Sequence, residues 1–187
     1  MKKTFRVLVL LFLGLFTAIK GNAQQAGGKI TFGLESEIMC FINQGYHGSV
    51  WVGYNGIRSR FVVAQSTYPD RLAPKGFKNL KSQFYEIEVD FFLGKRRKEY
   101  RGLWVASGFG LTKQSIESET TGLRGHANLF DWHSGIGYAI GIYKGIYINP
   151  WIGLDIHMNP KNVYIGDETW RPNRIDPVGG AKIGYSF

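Results

Sequence analysis

The 187-residue chain combines 25 Gly with 13 Phe, 10 Tyr and 5 Trp while only 20% of it is charged, a blend unusual for a soluble domain and suited to strands. Its single cysteine, Cys40, excludes an internal disulfide and leaves no second thiol for a metal pair. The formal net charge is +9, but no basic stripe interleaved with aromatics runs along one helix, so no nucleic-acid partner is expected.

Lys2, Lys3 and Arg6 precede an apolar run over residues 7–19, and Gly21-Asn22-Ala23 offers a small-residue cleavage site. This is the pattern of a secretory signal over residues 1–23, with a mature domain over 24–187. Thirteen residues rise only about 20 Å as a helix, short of the roughly 30 Å hydrocarbon core, so a permanent helical anchor is not expected. Cleavage removes four basic residues and no acidic one, which lowers the net charge from +9 to +5. Cys40 lies too far downstream to be lipidated beside such a signal, and no later apolar run approaches the length of a membrane helix.

Beyond the signal the pattern has period two. Residues 29–41 place Ile30, Phe32, Leu34, Ile38 and Cys40 on one face and Thr31, Gly33, Glu35, Glu37 and Met39 on the other. Residues 47–54 and 57–66 flank Asn55-Gly56, the strongest two-residue hairpin signal, because both central residues of a type I′ turn need positive φ. With Tyr54 opposite Ile57, Val52 faces Ser59 and Val50 faces Phe61 on the apolar side, while Gly53 faces Arg58 and Trp51 faces Arg60 on the other. Residues 67–83, with Pro69, Asp70, Pro74 and Gly76, read as a loop. A fourth strand then alternates Tyr85, Ile87, Val89, Phe91 and Leu93 with Glu86, Glu88 and Asp90.

A basic turn over 94–101, read as solvated, leads to a fifth run over 102–113, and residues 114–127 read as a second polar loop. The sixth and seventh runs, 128–142 and 146–158, flank Tyr143-Lys144-Gly145, read as a three-residue hairpin loop with Gly145 left-handed. That register sets an almost wholly apolar face from Phe130 to Ile142 against Met158 to Ile146. On the other face it opposes Gly137 to Trp151, Ala139 to Asn149 and Gly141 to Tyr147, small against large as in a narrow barrel. Residues 159–176 form a third loop before the last run, 177–187.

Eight strands with alternating short and long connections predict an all-β chain, an eight-stranded antiparallel up-and-down transmembrane barrel. The alternative is a soluble lipocalin-like ligand-binding barrel with the apolar faces turned inward. That arrangement puts Trp51, Trp104 and Trp151 outside and crowds the bulky aliphatic side chains into a lumen barely wide enough for its own residues. Lipid suits the apolar face better.

The run Ala181-Lys182-Ile183-Gly184-Tyr185-Ser186-Phe187 alternates apolar residues and stops on a terminal Phe. It is similar to the C-terminal signal, here Tyr185 and Phe187, read by the outer-membrane assembly machinery. With the strand pattern of the whole mature chain it resembles the small OmpA/OmpX-type outer-membrane proteins, and especially their Bacteroidota relatives. The resemblance implies Sec-dependent export, an outer-membrane location among lipids and lipopolysaccharide, and a monomer. It extends loosely to eight-stranded lipid A deacylases, which use a Ser, His and acid arrangement. Here, however, Met158 follows His157 where that family has serine, and His133 and Ser134 are neighbours on a strand that point to opposite faces. No enzyme activity and no cofactor are expected.

Two groups of residues carry candidate chemistry. The lumen face holds Glu35, Glu37, Glu86, Glu88, Asp90, Arg58, Arg60 and Lys182, with Arg58, Arg60 and Asp90 at the inner, periplasmic end, where arginine can fork onto carboxylates. At the outward mouth the register sets Asp131 opposite His157 and His133 opposite Asp155. That quartet could hold a divalent metal or relay protons, or it could close the plug through cross-strand ion pairs. Outside, Arg71, Lys75, Lys78 and Lys81, with Arg171, could meet lipopolysaccharide phosphates or a partner. The barrel reading predicts that the mature chain stays in solution only with detergent and migrates differently on a gel before and after heating; purification without detergent as a monodisperse species would favour the soluble barrel.

Overall fold

The computed structural model describes residues 29–187; the signal expected over residues 1–23 lies outside the described residues. The chain runs through β1 (Ile30–Glu37), a one-turn helix α1 (Ile38–Ile42), β2 (Tyr46–Tyr54), β3 (Ile57–Thr67), β4 (Phe77–Phe92), β5 (Gly102–Ser118), β6 (Arg124–Tyr143), β7 (Ile146–His157), β8 (Val163–Ile165), β9 (Glu168–Trp170) and β10 (Ile175–Ser186). Eight of these strands close in the order β1-β10-β7-β6-β5-β4-β3-β2, every described pair antiparallel, and β8 and β9 form a separate hairpin.

The period-two pattern decides which way the wall faces. On β4, Ile87 is 61% exposed between Glu86 at 8% and Glu88 at 2%. The same inversion runs around the barrel, with Leu34, Phe61, Phe109, Ile136 and Ile152 outside and Trp51, Arg58, Trp104, Asp131 and Asn149 buried within. A closed belt of aliphatic and aromatic side chains backed by buried charges is the inverse of a soluble barrel, so the lipocalin alternative does not hold. The belt is a lipid-facing surface, and barrels of this build belong to outer membranes.

The Asn55-Gly56 turn has φ values of +51° and +88°, and it delivers the expected pairs, Tyr54 with Ile57 and Trp51 with Arg60. Between β6 and β7 the predicted register holds from Asp131–His157 to Gly137–Trp151. The turn itself is tighter: Tyr143 pairs with Ile146 around Lys144 and Gly145, and a bulge near Ile142 absorbs the extra residue.

Other expectations need correction. The first run ends at Glu37, where Ile38-Met39-Cys40-Phe41-Ile42 loses alternation and folds into α1; the carbonyls of Met39 and Cys40 accept from the amides of Asn43 and Gly45 at 3.0 and 2.8 Å. The predicted loop at 67–83 holds only over 68–76, and that at 114–127 only over 119–123; the rest is strand, since β4, β5 and β6 reach 16, 17 and 20 residues. A bilayer needs about 9–11 residues per strand, so their outer parts stand clear of lipid, and a strand with water outside it loses its apolar face. The 159–176 loop contains β8 and β9, and the last strand starts at Ile175 rather than 177. The hairpin packs Ile165 and Trp170 against Phe77, Ile116, Ala127 and Leu129.

Gly137 shows how tightly the interior is filled: a Cβ there would lie 2.4 Å from Cζ2 of Trp104 and 2.8 Å from the Pro150 carbonyl. At Gly48 a Cβ would meet nothing within 4 Å. Gly137→Ala is expected to destabilise the barrel by about 1–3 kcal/mol, as overpacking does. Gly48→Ala should stay within about 0.5 kcal/mol. Urea titration of the folded protein in micelles compares the two.

Candidate functional site

Arg58 and Arg60 stand two apart on β3, so both enter the lumen at the same end as Asp90, as the sequence pattern predicts, and the β3–β4 register sets them opposite Asp90 and Glu88. Arg58 donates from Nε to Asp90 Oδ2 at 2.5 Å and from Nη1 to Glu35 Oε1 at 2.8 Å. Arg60 donates to Glu35 Oε2 at 2.9 Å, to Asp90 Oδ1 at 3.1 Å and, in close contact, to Glu88. The Tyr147 hydroxyl donates to Glu35 at 2.8 Å and accepts from Trp51 Nε1 at 2.9 Å. Trp104 Nε1 donates to Asn149 Oδ1 at 2.7 Å.

This layer is solid, with Arg58, Asp90, Trp104 and Asn149 all 0% exposed. The Arg58 guanidinium lies 5.2 Å from the Trp51 ring centre and 5.1 Å from that of Phe92, which lowers its desolvation cost. Lys182, buried and 4.1 Å from the Trp151 ring centre, is a third cation against the three carboxylates Glu35, Glu88 and Asp90. Tyr100, left-handed at φ +55°, packs below; a Cβ at Gly53 would sit 2.5 Å from its ring. Glu35 is among the lumen charges that the alternation predicts, whereas Tyr147 and Asn149 are predicted only as large packing partners of Gly141 and Ala139. Their alternation places them in the lumen, but only barrel closure brings β1 and β7 to β3.

Above this layer lies a cavity of about 190 Å³, lined among others by Glu37, His47, Glu86, His133, Trp151 and Asp155. His133 Nδ1 is 2.6 Å from Asp155 Oδ1. Its Nε2 is buried without a hydrogen-bond partner, 3.9 Å from Glu88 Oε2. One donor atom each of Glu86, His133 and Asp155 lies within 4.8 Å of the others.

The predicted Asp-His quartet has the expected register but divides into two groups. His157 bonds through Nδ1 to Asp131 at 2.5 Å and through Nε2 to Asp176 of β10 at 3.0 Å, so both of its nitrogens are committed. His133 and Asp155 face the cavity and are joined there by Glu86. Two glycines on the intervening β5 make that approach possible. Gly108 stands between Glu88 and His133, and Gly110 between Glu86 and Asp131; a Cβ on either would lie 2.7 or 2.6 Å from the glutamate Cγ.

Outside, Arg71 and Lys75 are exposed in the β3–β4 connection, Lys81 points outward from β4, and Arg171 is exposed after β9. Lys78 lies 3.6 Å from Glu117, which Arg124 also reaches at 3.1 Å. The hydrogen bond from Arg124 holds the Glu117 carboxyl below its ordinary pKa. Lys113, absent from the predicted patch, is also exposed; it faces outward opposite Gln83, with its Nζ 5.8 Å from the Tyr85 ring centre. At the other end Tyr185 and Phe187 pack edge to face at 5.0 Å, and the Phe187 amide donates to the Phe32 carbonyl at 2.8 Å.

No protein-family model matches the sequence, and no curated protein matches it. Among solved structures the chain is similar to Neisserial surface protein A, 11% identical over 87% of this chain and 98% of that one, with a TM-score of 0.49. It is equally similar to a major outer membrane protein from Thermus thermophilus, 11% identical over 85% of this chain and all of that one, also at 0.49. At that distance no residue role passes from either protein to this chain.

Removing one member of the inner ion network strands the others in a dry interior. Arg60→Met is expected to destabilise the barrel by about 3–5 kcal/mol. Adding Glu88→Gln should recover part of that loss. A double-mutant cycle of urea midpoints measures the coupling, and strictly additive effects would contradict the network.

Proposed function

We infer that this barrel is a closed, non-catalytic outer-membrane protein that binds the phosphates of lipopolysaccharide through a basic strip on its outer rim. The observation that carries this reading is the position of Lys81 and Lys113. They project outward from adjacent strands, next along each strand to Gln83 and to Leu111, where the apolar belt gives way to polar wall. That is the level of lipid headgroups, where lysine stems lie along apolar surface and the ammonium reaches the phosphate. Arg71 and Lys75 extend the strip outward, and Lys78 pairs with Glu117.

Two further observations support the reading. The solid layer around Arg58 and Trp104 bars the axial path that a channel needs. The lipid-modifying alternative requires a serine beside the histidine, and Met158 stands at that place after His157, whose ring bonds to Asp131 and Asp176.

Binding of lipopolysaccharide to the detergent-solubilised protein is expected to weaken at high salt, and Lys81→Glu with Lys113→Glu should weaken it about tenfold or more at low salt. Lipopolysaccharide stripped of its phosphates should bind poorly to the unaltered protein. Equal binding by the double variant would overturn the reading.

A further inference from the structure

We propose that the lumen cavity binds a cationic amphiphile from the outer leaflet, its primary ammonium held on an acidic floor inside the barrel and its alkyl chain leaving through a notch in the wall between α1 and β10. The notch follows from the shortness of β1. That strand pairs with β10 only as far as Glu37 opposite Lys182, whereas β10 continues outward along β7 to Ile175. Over residues 175–181, therefore, β10 has a strand on one side alone. Ile183 and Ile175, both exposed on the lipid-facing side at the two ends of that stretch, place it within the apolar belt.

An open sheet edge inside a bilayer is tolerated only where protein or a cavity covers it. Here α1 packs across the gap, touching β10, β2 and β3, with Phe41 and Ile42 exposed. Among the described residues no backbone hydrogen bond joins α1 to β10. The Ala181 amide donates instead to Glu37 Oε1 at 2.8 Å, and Pro177 has no N–H to offer. The consecutive residues Pro177, Val178 and Gly179 all line the cavity. A strand whose residues alternate in and out permits this only where the cavity wraps around its edge. Met39 of α1 faces the same space and makes that edge apolar.

The floor of the cavity is acidic. Asp155 accepts from His133 Nδ1, which leaves Nε2 as an acceptor; it has no partner although the residue is only 2% exposed. Glu88 Oε2 lies 3.9 Å from that nitrogen, and Glu86 lies within hydrogen-bonding reach of Glu88. Glu88 has Arg60, but Glu86, buried on the cavity wall, makes no ion pair with arginine or lysine among the described residues. The nearby Lys182 ammonium sits on the Trp151 ring, 4.1 Å from its centre. A bound ammonium supplies what this floor lacks, N–H donors for Nε2 and the carboxylates and a charge opposite to Glu86. A carboxylate head would be repelled there, and an alcohol would leave Glu86 unpaired. The cavity of about 190 Å³ compares with the roughly 150 Å³ that holds a benzene, so it takes the head and a few methylenes, and the rest of a long chain lies in the notch.

Cys40, the only cysteine, lines the cavity and reports on its occupancy. The mature protein in nanodiscs of zwitterionic lipid is treated with N-ethylmaleimide, an uncharged reagent, after dodecylamine, dodecanoate or dodecanol has been added to the lipid at equal mole fraction. Dodecylamine is expected to slow the alkylation of Cys40 about tenfold or more, and the other two to change it less than about twofold. In Glu86→Gln the protection by dodecylamine should largely disappear while the rate without amine is unchanged. No protection by the amine, equal protection by dodecanoate or dodecanol, or undiminished protection in Glu86→Gln overturns the proposal. So does a Cys40 that fails to react before any amine is added, since the cavity would then be closed to the lipid. Should the Glu86 variant fail to fold, the comparison of amine with dodecanoate in the unaltered protein decides.

Discussion

An eight-stranded barrel is too narrow to hold a column of water, so each polar side chain that enters its lumen must find its partner there. Arg58 and Arg60 are the strictest case. With 0% side-chain exposure they need Glu35, Glu88 and Asp90 in place at once, and those residues come from β1 and β4, on either side of the β2–β3 hairpin. Much of the interior follows from accommodating this cluster. Trp51 and Phe92 sit beside the Arg58 guanidinium, and Tyr147 bonds to Glu35. Glycines clear space for the large rings: a Cβ at Gly33 would lie 2.3 Å from Trp51, and one at Gly184 2.3 Å from Tyr147.

Such a network is a poor source of net stability, because desolvating five charged groups offsets most of their attraction. Its effect is on register. Slipping β3 by one residue would send both arginines into lipid and bring Ser59 and Phe61 into the lumen, so the pairing of three strands is specified by the cost of every alternative. The outer half of the lumen is built differently. There Glu86, Asp131 and Asp155 meet histidines rather than arginines, a cavity remains, and the mouth is covered by the β8–β9 hairpin with Ile165 and Trp170. The sealed half holds the barrel together, and the unsealed half and the rim keep chemistry to spare.

Much of this is legible without coordinates. Alternation on β4, with Ile87 between Glu86 and Glu88, assigns inside and outside, and Asn55-Gly56 sets one hairpin to the residue. The β6–β7 pattern places Asp131 opposite His157 and His133 opposite Asp155 even though its turn is one residue tighter than the pattern predicts. The outer strand extensions are hidden because a strand in water shows no apolar stripe: Lys78 to Gln83 and Gln114 to Ser118 look like loop when read for hydrophobicity. Lys113 is hidden for a related reason, since its place at the headgroup level depends on where the belt ends.

The sequence by itself determined the eight wall strands over their lipid-facing lengths, their faces and the two hairpin registers, because a period of two and the φ demands of a turn are local properties of the chain. Only the tertiary structure decided which lumen groups meet. Glu35 reaches Arg58 because β1 closes against β10 and lies across β2 from β3. Glu86 approaches His133 because β4 and β6 flank a strand that carries Gly108 and Gly110 at that height. His157 leaves the quartet because β10 brings Asp176 to it. Contacts across a lumen depend on closure, stagger and the absence of a Cβ on an intervening strand, and none of these is a property of neighbouring residues.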